Sequence, residues 1–193
     1  MSTCVIVAGT YRSGTSLLAK FLHESGCDMN PMPVQSDWPG WHPSGSYKDR
    51  ILDGEGFMGW DAYFSTRPMP EVWGIKSHRL LFIPGMMESF VESCPANRKV
   101  LIWTTRDIEN TVASYSTLRH DLSSEEAREI ITSQVATLES LFNGWPETDR
   151  MKVTFPATTI DPAGQLQSVT DLIGLPFDEQ ALAHIRANIP KWG

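Results

Sequence analysis

The stretch Gly9 to Ser16, GTYRSGTS, lies directly after the apolar run CVIVA and directly before LLAKFL. A short β-branched run, a glycine-bearing turn and a helical pattern in immediate succession call for a strand, a tight loop and a helix. Several backbone N–H groups then gather around one point at a helix N-terminus, where geometry and the helix dipole both favour an anion. The glycine spacing is that of the phosphate-binding pattern G-x-x-x-x-G-K-[ST], with Thr15 in the lysine's place and Ser16 retained. A nucleoside-triphosphate loop needs that lysine for its terminal phosphates and the hydroxyl for magnesium. Here the cation has moved three positions upstream to Arg12, which can swing over the loop from outside. This suits a ligand with one phosphate and a second anionic group bonded to it. The plain alternative is a tight turn that uses glycine only for its backbone freedom.

The rest of the chain repeats the strand-then-helix rhythm. Apolar, β-branched runs at Cys4 to Ala8, Val72 to Lys76, Lys99 to Thr105 and Met151 to Phe155 read as buried strands. Helical patterns cover Thr15 to Ser25, Ile108 to Leu118 behind the N-cap candidate Asp107, and Gln165 to Ile173. A further one covers Asp178 to Asn188, and Gly26 is placed to end the first. In SSEEAREIITSQVATLESLFNG, Ser123 and Glu126 have capping-box spacing and Gly144 is a stop candidate. Alternation of this kind implies parallel pairing and a layered α/β domain. Asp28 to Pro70 resists the pattern: it carries Trp38, Trp41 and Trp60 among prolines and glycines, with one helix expected near Tyr47 to Phe64. So long an irregular stretch reads as a substrate-facing lid.

A length of 193 residues fits one domain, 1–193, with the insertion at 28–70. The net charge of −7 argues against nonspecific nucleic-acid binding and a polybasic membrane patch, so an anionic ligand needs a local pocket. Cys4, Cys27 and Cys94 are odd in number and form no C-x-x-C pair, which suggests buried thiols in a reducing compartment. No apolar run approaches the ~20 residues of a membrane span, and CVIVAG lacks the basic flank of a secretory signal, so a cytoplasmic location is expected.

GTYRSGTSLLAKFL resembles the 5′-phosphosulfate loop of the PAPS-dependent sulfotransferases, whose members carry Pro-Lys-Ser-Gly-Thr-Thr or Arg-Ser-Gly-Thr-Ser there. A second, independent match is RDIENTVASY: Arg106 ends a strand and Ser114 follows eight residues later. The resemblance implies that this pair binds the nucleotide's 3′-phosphate, and that Arg12, Ser13, Gly14, Thr15 and Ser16 form the cofactor loop. A third match, IKSHRLLFIP, is similar to the Lys-Thr-His-Leu-Pro segment of cytosolic members. Carry-over makes His78 the general base, whereas bacterial relatives with Lys-Asp-Pro-Arg would match Arg79 instead. Lys76 either approaches the transferring group or is a solvated strand-end lysine. GSYKD is similar to a Gly-Tyr-Phe-Glu segment, with Asp49 a second carboxylate candidate. Near the C-terminus the outline of a Tyr-Glu-Asp-Leu segment persists, but Phe155 replaces the tyrosine and Pro156 and Ala157 the acidic pair. No Arg-Lys-Gly loop follows.

The resemblance implies a three-layer P-loop-like domain with a mainly parallel sheet of four to five strands. It also implies sulfuryl transfer from PAPS (3′-phosphoadenosine 5′-phosphosulfate) to a hydroxyl or amine of a small-molecule or glycan acceptor, leaving adenosine 3′,5′-bisphosphate, with no metal. Arg12, His78 and Lys76 are its expected catalytic groups. Two alternatives stay open: an ATP-dependent phosphotransferase with Asp107 as its magnesium aspartate, and a noncatalytic nucleotide-binding relative.

Overall fold

The computed structural model describes residues 2–30, 57–154 and 162–188. Thr3–Gly9 forms β1, buried along its whole length. It pairs in parallel with β2 (Val72–Ile75) on one side and β3 (Arg98–Thr105) on the other. β4 (Arg150–Thr154) pairs in parallel with β3, giving the order β2-β1-β3-β4. Helices cover both faces, which is why these strands read as continuous apolar runs rather than alternating ones.

Residues of β1 point alternately to the two faces. Val5 and Val7 meet Val100, Ile102 and Val153 beneath α1 (Thr15–Glu24), α7 (Pro162–Ile173) and α8 (Glu179–Asn188). Cys4, Ile6 and Ala8 meet Leu101 and Trp103 beneath α2 (Trp60–Thr66), α3 (His78–Phe82), α4 (Met86–Ser93) and α6 (Ser124–Gly144). Helix α5 (Ile108–Leu118) packs Val112 and Tyr115 against Ala127 and Ile131 of α6.

The helix ends follow their local chemistry. After α1 the Gly26 amide donates to the His23 carbonyl and the Cys27 amide to that of Leu22, a closure made possible by Gly26 at φ 100°. The Asp107 carboxylate accepts from the Asn110 amide at 2.9 Å and caps α5. Ser123 and Glu126 form both halves of the capping box. The stop expected at Gly144 falls one residue later, since the helix includes Gly144 and is capped by Trp145.

Two short helices, α3 and α4, lie where no helix is expected from sequence, and β2 ends at Ile75, before Lys76. The helix expected near Tyr47 to Phe64 is α2 at Trp60–Thr66, while residues 47–56 lie outside the described residues. The same holds for residues 31–56 of the expected lid, including Trp38, Trp41, His42 and Asp49. The two flanks of that insertion are docked on the sheet. Asp28 bridges to Trp73, and the buried Arg67 donates to the Asp28 carbonyl at 2.9 Å, the Gly74 carbonyl and the Tyr63 hydroxyl. Trp60 donates its indole N–H to Ser89 of α4 at 2.7 Å.

All three cysteines are free and buried. A hydrogen bond from Cys4 holds the Cys94 thiol down to about 7, whereas burial pushes Cys27 up to about 12. Among the described residues no helix is long and apolar enough to cross a membrane.

Candidate functional site

Because the sheet is parallel, the connections after β1, β2 and β3 emerge on one edge, the carboxyl end where open α/β sheets take their ligands. The loop after β1 owes its shape to three neighbours. A Cβ on Gly9 would lie 2.4 Å from Ser13 Oγ and from Thr104 Oγ1 and 2.6 Å from the Thr15 methyl, so only glycine fits. Arg12 at φ 66° and Gly14 at φ 93° turn the chain sharply, and Gly14 is the N-cap of α1. The first turn of α1 therefore presents N–H groups to the loop's mouth, as an anion site requires.

The side chains of Ser13 and Thr15 are both buried. The Ser13 side chain is fully buried. Its hydroxyl donates to the Thr10 carbonyl at 2.8 Å and shares a 3.0 Å hydrogen bond with Thr104, whose own hydroxyl reaches the Ala8 carbonyl at 3.2 Å. Ser13 thus ties the loop to β3 from beneath. Thr15 is buried with its methyl under Gly9, which leaves Ser16 as the loop hydroxyl with a cation on it.

That cation is Lys76. It is only 3% exposed, and its ammonium donates to Ser16 Oγ at 2.8 Å, so the view of it as a solvated strand-end lysine is corrected. On the other side of the loop, Arg12 Nε donates to Ser114 Oγ at 2.9 Å, and Arg106 Nη1 donates to the Arg12 carbonyl at 3.3 Å. The glycine loop and the Arg106–Ser114 pair, 102 and 94 residues apart in the two bonds, meet in one cluster. The Arg106 guanidinium is held below the usual arginine range, first by burial and then by the like charge of Arg12. Two guanidiniums and an ammonium converge on one loop in a chain of net charge −7.

His78 opens α3 directly behind its N-cap Ser77, whose hydroxyl accepts from the Leu80 amide at 3.3 Å. Its imidazole lies 4.3 Å from the Tyr11 ring of the loop. Arg79 is exposed on the same helix. His23 is on α1 and His120 in the turn after α5, whereas the side chain of His184 lies outside the described residues. Asp107, the magnesium candidate of the phosphotransferase alternative, spends a carboxylate oxygen on capping α5.

Sequence reasoning passed over three residues of this site. Tyr11 sits in the loop but outside the motif's fixed positions. Gln134 of α6 reaches the loop from 123 residues away, its Oε1 accepting from the Tyr11 amide at 3.3 Å. Thr104 was legible only as a hydroxyl near the end of VLIWTT, the place from which a parallel strand supports such a loop. A groove of about 1100 Å³ between α3, α4 and α6 shares Gln134 with the site but none of its cations.

No protein-family model matches the chain, and no curated protein matches it in sequence. Solved structures do match it in fold. A sulfotransferase domain of the Synechococcus PCC 7002 olefin synthase superposes with a TM-score of 0.69 at 18% identity, over 95% of this chain and 77% of that one. A sulfotransferase from Alicyclobacillus acidocaldarius gives 0.59 at 15% identity, over 97% and 91%. A mouse sulfotransferase complexed with PAP gives 0.57 at 14% identity, over 97% and 64%. Among the described residues, the four-stranded parallel sheet flanked by helices is the P-loop-like α/β fold of the sulfotransferases.

Proposed function

We propose that this chain transfers a sulfuryl group from PAPS to a hydroxyl or amine acceptor by in-line displacement at sulfur. The observation that carries the reading is the cluster of Arg12, Arg106 and Lys76 around one glycine loop, with Ser16 accepting from Lys76. In a triphosphate-binding loop the equivalent hydroxyl serves magnesium. Here a protein ammonium stands on it, which suits a donor whose transferred group carries less charge than a terminal phosphate. The fold's likeness to a sulfotransferase complexed with PAP supports the same donor.

Each group has a task under this reading. Arg106 and Ser114 hold the 3′-phosphate, and the α1 amides hold the 5′-phosphate. As the bond between sulfur and the 5′-phosphate oxygen breaks, charge grows on that oxygen, and Arg12 and Lys76 meet it. Arginine keeps its proton at neutral pH, so Arg12 acts as an electrostatic clamp and not as an acid. His78 takes the acceptor's proton, since imidazole titrates near working pH. A preorganised donor such as Arg12 or Lys76 is worth ~10²- to 10³-fold in rate. The acceptor is a small molecule or glycan.

A thermal-shift comparison tests the donor. A ligand at 100 times its dissociation constant stabilises the folded state by about 2.7 kcal/mol. For a chain of this length each kcal/mol moves the melting temperature by about 2–4 °C. Adenosine 3′,5′-bisphosphate should therefore raise it by several degrees, with magnesium ATP and GTP giving less. A shift with magnesium ATP and none with the bisphosphate would end the sulfotransferase reading.

A further inference from the structure

Tyr11 joins the cofactor loop to His78. Its ring lies parallel to that of Tyr115 on α5, with centroids 5.1 Å apart and planes 5° apart. On another side the ring meets the His78 imidazole at 4.3 Å and a 39° tilt. His78 in turn stacks on Phe82 at 6.1 Å and 13°, and Phe82 lies 6.3 Å from Tyr11. The Tyr11 backbone is fixed as well, by the Gln134 side chain that accepts from its amide. Three helices thus specify both the ring and the main chain of one loop residue.

An imidazole turns about its outer torsion in a broad, two-fold well, so its own rotamer preference does not aim its nitrogens. Neighbouring ring faces do, because offset and tilted aromatic pairs have preferred geometries. We infer that Tyr11 is a positioning residue, whose ring holds the His78 imidazole at a fixed angle and distance from the cofactor loop. The inference rests on the reading of His78 as the base in the proposed reaction. A ring in this place sets the direction in which the imidazole receives the acceptor's proton. It leaves the phosphate contacts of Arg106 and Ser114 alone. Tyr11 also packs against the cluster formed by Val112, Tyr115, Ala127 and Ile131, so a purely structural role must be separable.

The test uses the full chain with Tyr11→Leu and Tyr11→Phe. The orientation of the His78 ring is followed by nuclear Overhauser contacts from its ring protons to Phe82, the ring protons being assigned by their loss in His78→Gln; chemical shifts alone would not serve, since removing the Tyr11 ring current moves them whatever the imidazole does. Affinity for adenosine 3′,5′-bisphosphate is measured by calorimetry. Turnover is read as bisphosphate release from PAPS, with and without 2-naphthol as acceptor. Tyr11→Leu should change the His78–Phe82 contacts, keep the bisphosphate affinity within about twofold and lower kcat about tenfold or more. Tyr11→Phe, which keeps the ring, should restore both the contacts and the rate. Unchanged contacts, an unchanged rate, or a loss of affinity as large as the loss of rate would each overturn the inference. Should the wild-type chain fail to bind the bisphosphate, the donor reading falls, while the contacts still decide whether Tyr11 sets the imidazole.

Discussion

The Ser13 hydroxyl is turned into the protein and the Ser114 hydroxyl faces a guanidinium, although the sequence resemblance makes both serines cofactor contacts. Removing the Ser13 hydroxyl takes a buried bond from the Thr10 carbonyl, which keeps the longer one from the Ser13 amide at 3.3 Å. Thr104 keeps its bond to the Ala8 carbonyl. Because neither partner is stranded, Ser13→Ala should cost about 1 kcal/mol of stability, the net worth of one hydrogen bond. It should leave bisphosphate affinity nearly unchanged. Ser114→Ala should do the reverse: little change in melting temperature, and affinity weakened about tenfold through loss of a charge-assisted contact. Paired melting curves and bisphosphate titrations of the two variants check this. Equal losses of affinity would return Ser13 to the binding surface.

At the scale of elements, strength of local signal decided what the sequence showed. The described strands were legible within a residue or two as short apolar, β-branched runs, and α1, α5 and the capped start of α6 because each joins an apolar period to a cap or glycine stop. The helices α3 and α4 were not legible. Five and eight residues are too few for a helix to stand on propensity, and these two exist because Leu80, Leu81, Met87 and Phe90 are buried against the sheet. The site shows the same division. Loop glycines, Arg12, Arg106 and Ser114 belong to spaced motifs, whereas Gln134 and Thr104 arrive from distant elements by tertiary packing that no local pattern encodes. The capping box of α6 offers a test at this scale. Ser123 accepts from the Glu126 amide at 3.2 Å, while the Glu126 carboxylate accepts from the Ser123 amide at 2.8 Å. Ser123→Ala should cost about 1 kcal/mol, or roughly 2–4 °C in melting temperature. Unchanged melting would mean that packing of Ala127 and Ile131 alone fixes the start of α6.

For the whole molecule, the governing fact is a conflict between global and local charge. A net charge of −7 repels an anionic nucleotide at long range, yet Arg12, Arg106 and Lys76 meet at the sheet's carboxyl edge. The β1–β3 register sets this convergence, because it aligns Gly9 with Thr104 and so brings the loop beside the strand that ends just before Arg106. Salt acts on the two contributions in opposite directions. Between 0.1 and 1 M the screening length falls from about 10 to about 3 Å, which removes the long-range repulsion and also weakens exposed short-range attraction. Lys76 is buried and Arg106 partly so, and buried charges are screened much less, whereas the exposed Arg12 is screened as any surface cation is. Bisphosphate affinity should therefore fall only a few-fold over this range, instead of the ~10³-fold or greater loss expected where many exposed cations bind a polyanion. Titrations across the salt series measure the slope. A steep loss would place the nucleotide on exposed cations instead of at Lys76 and Arg106.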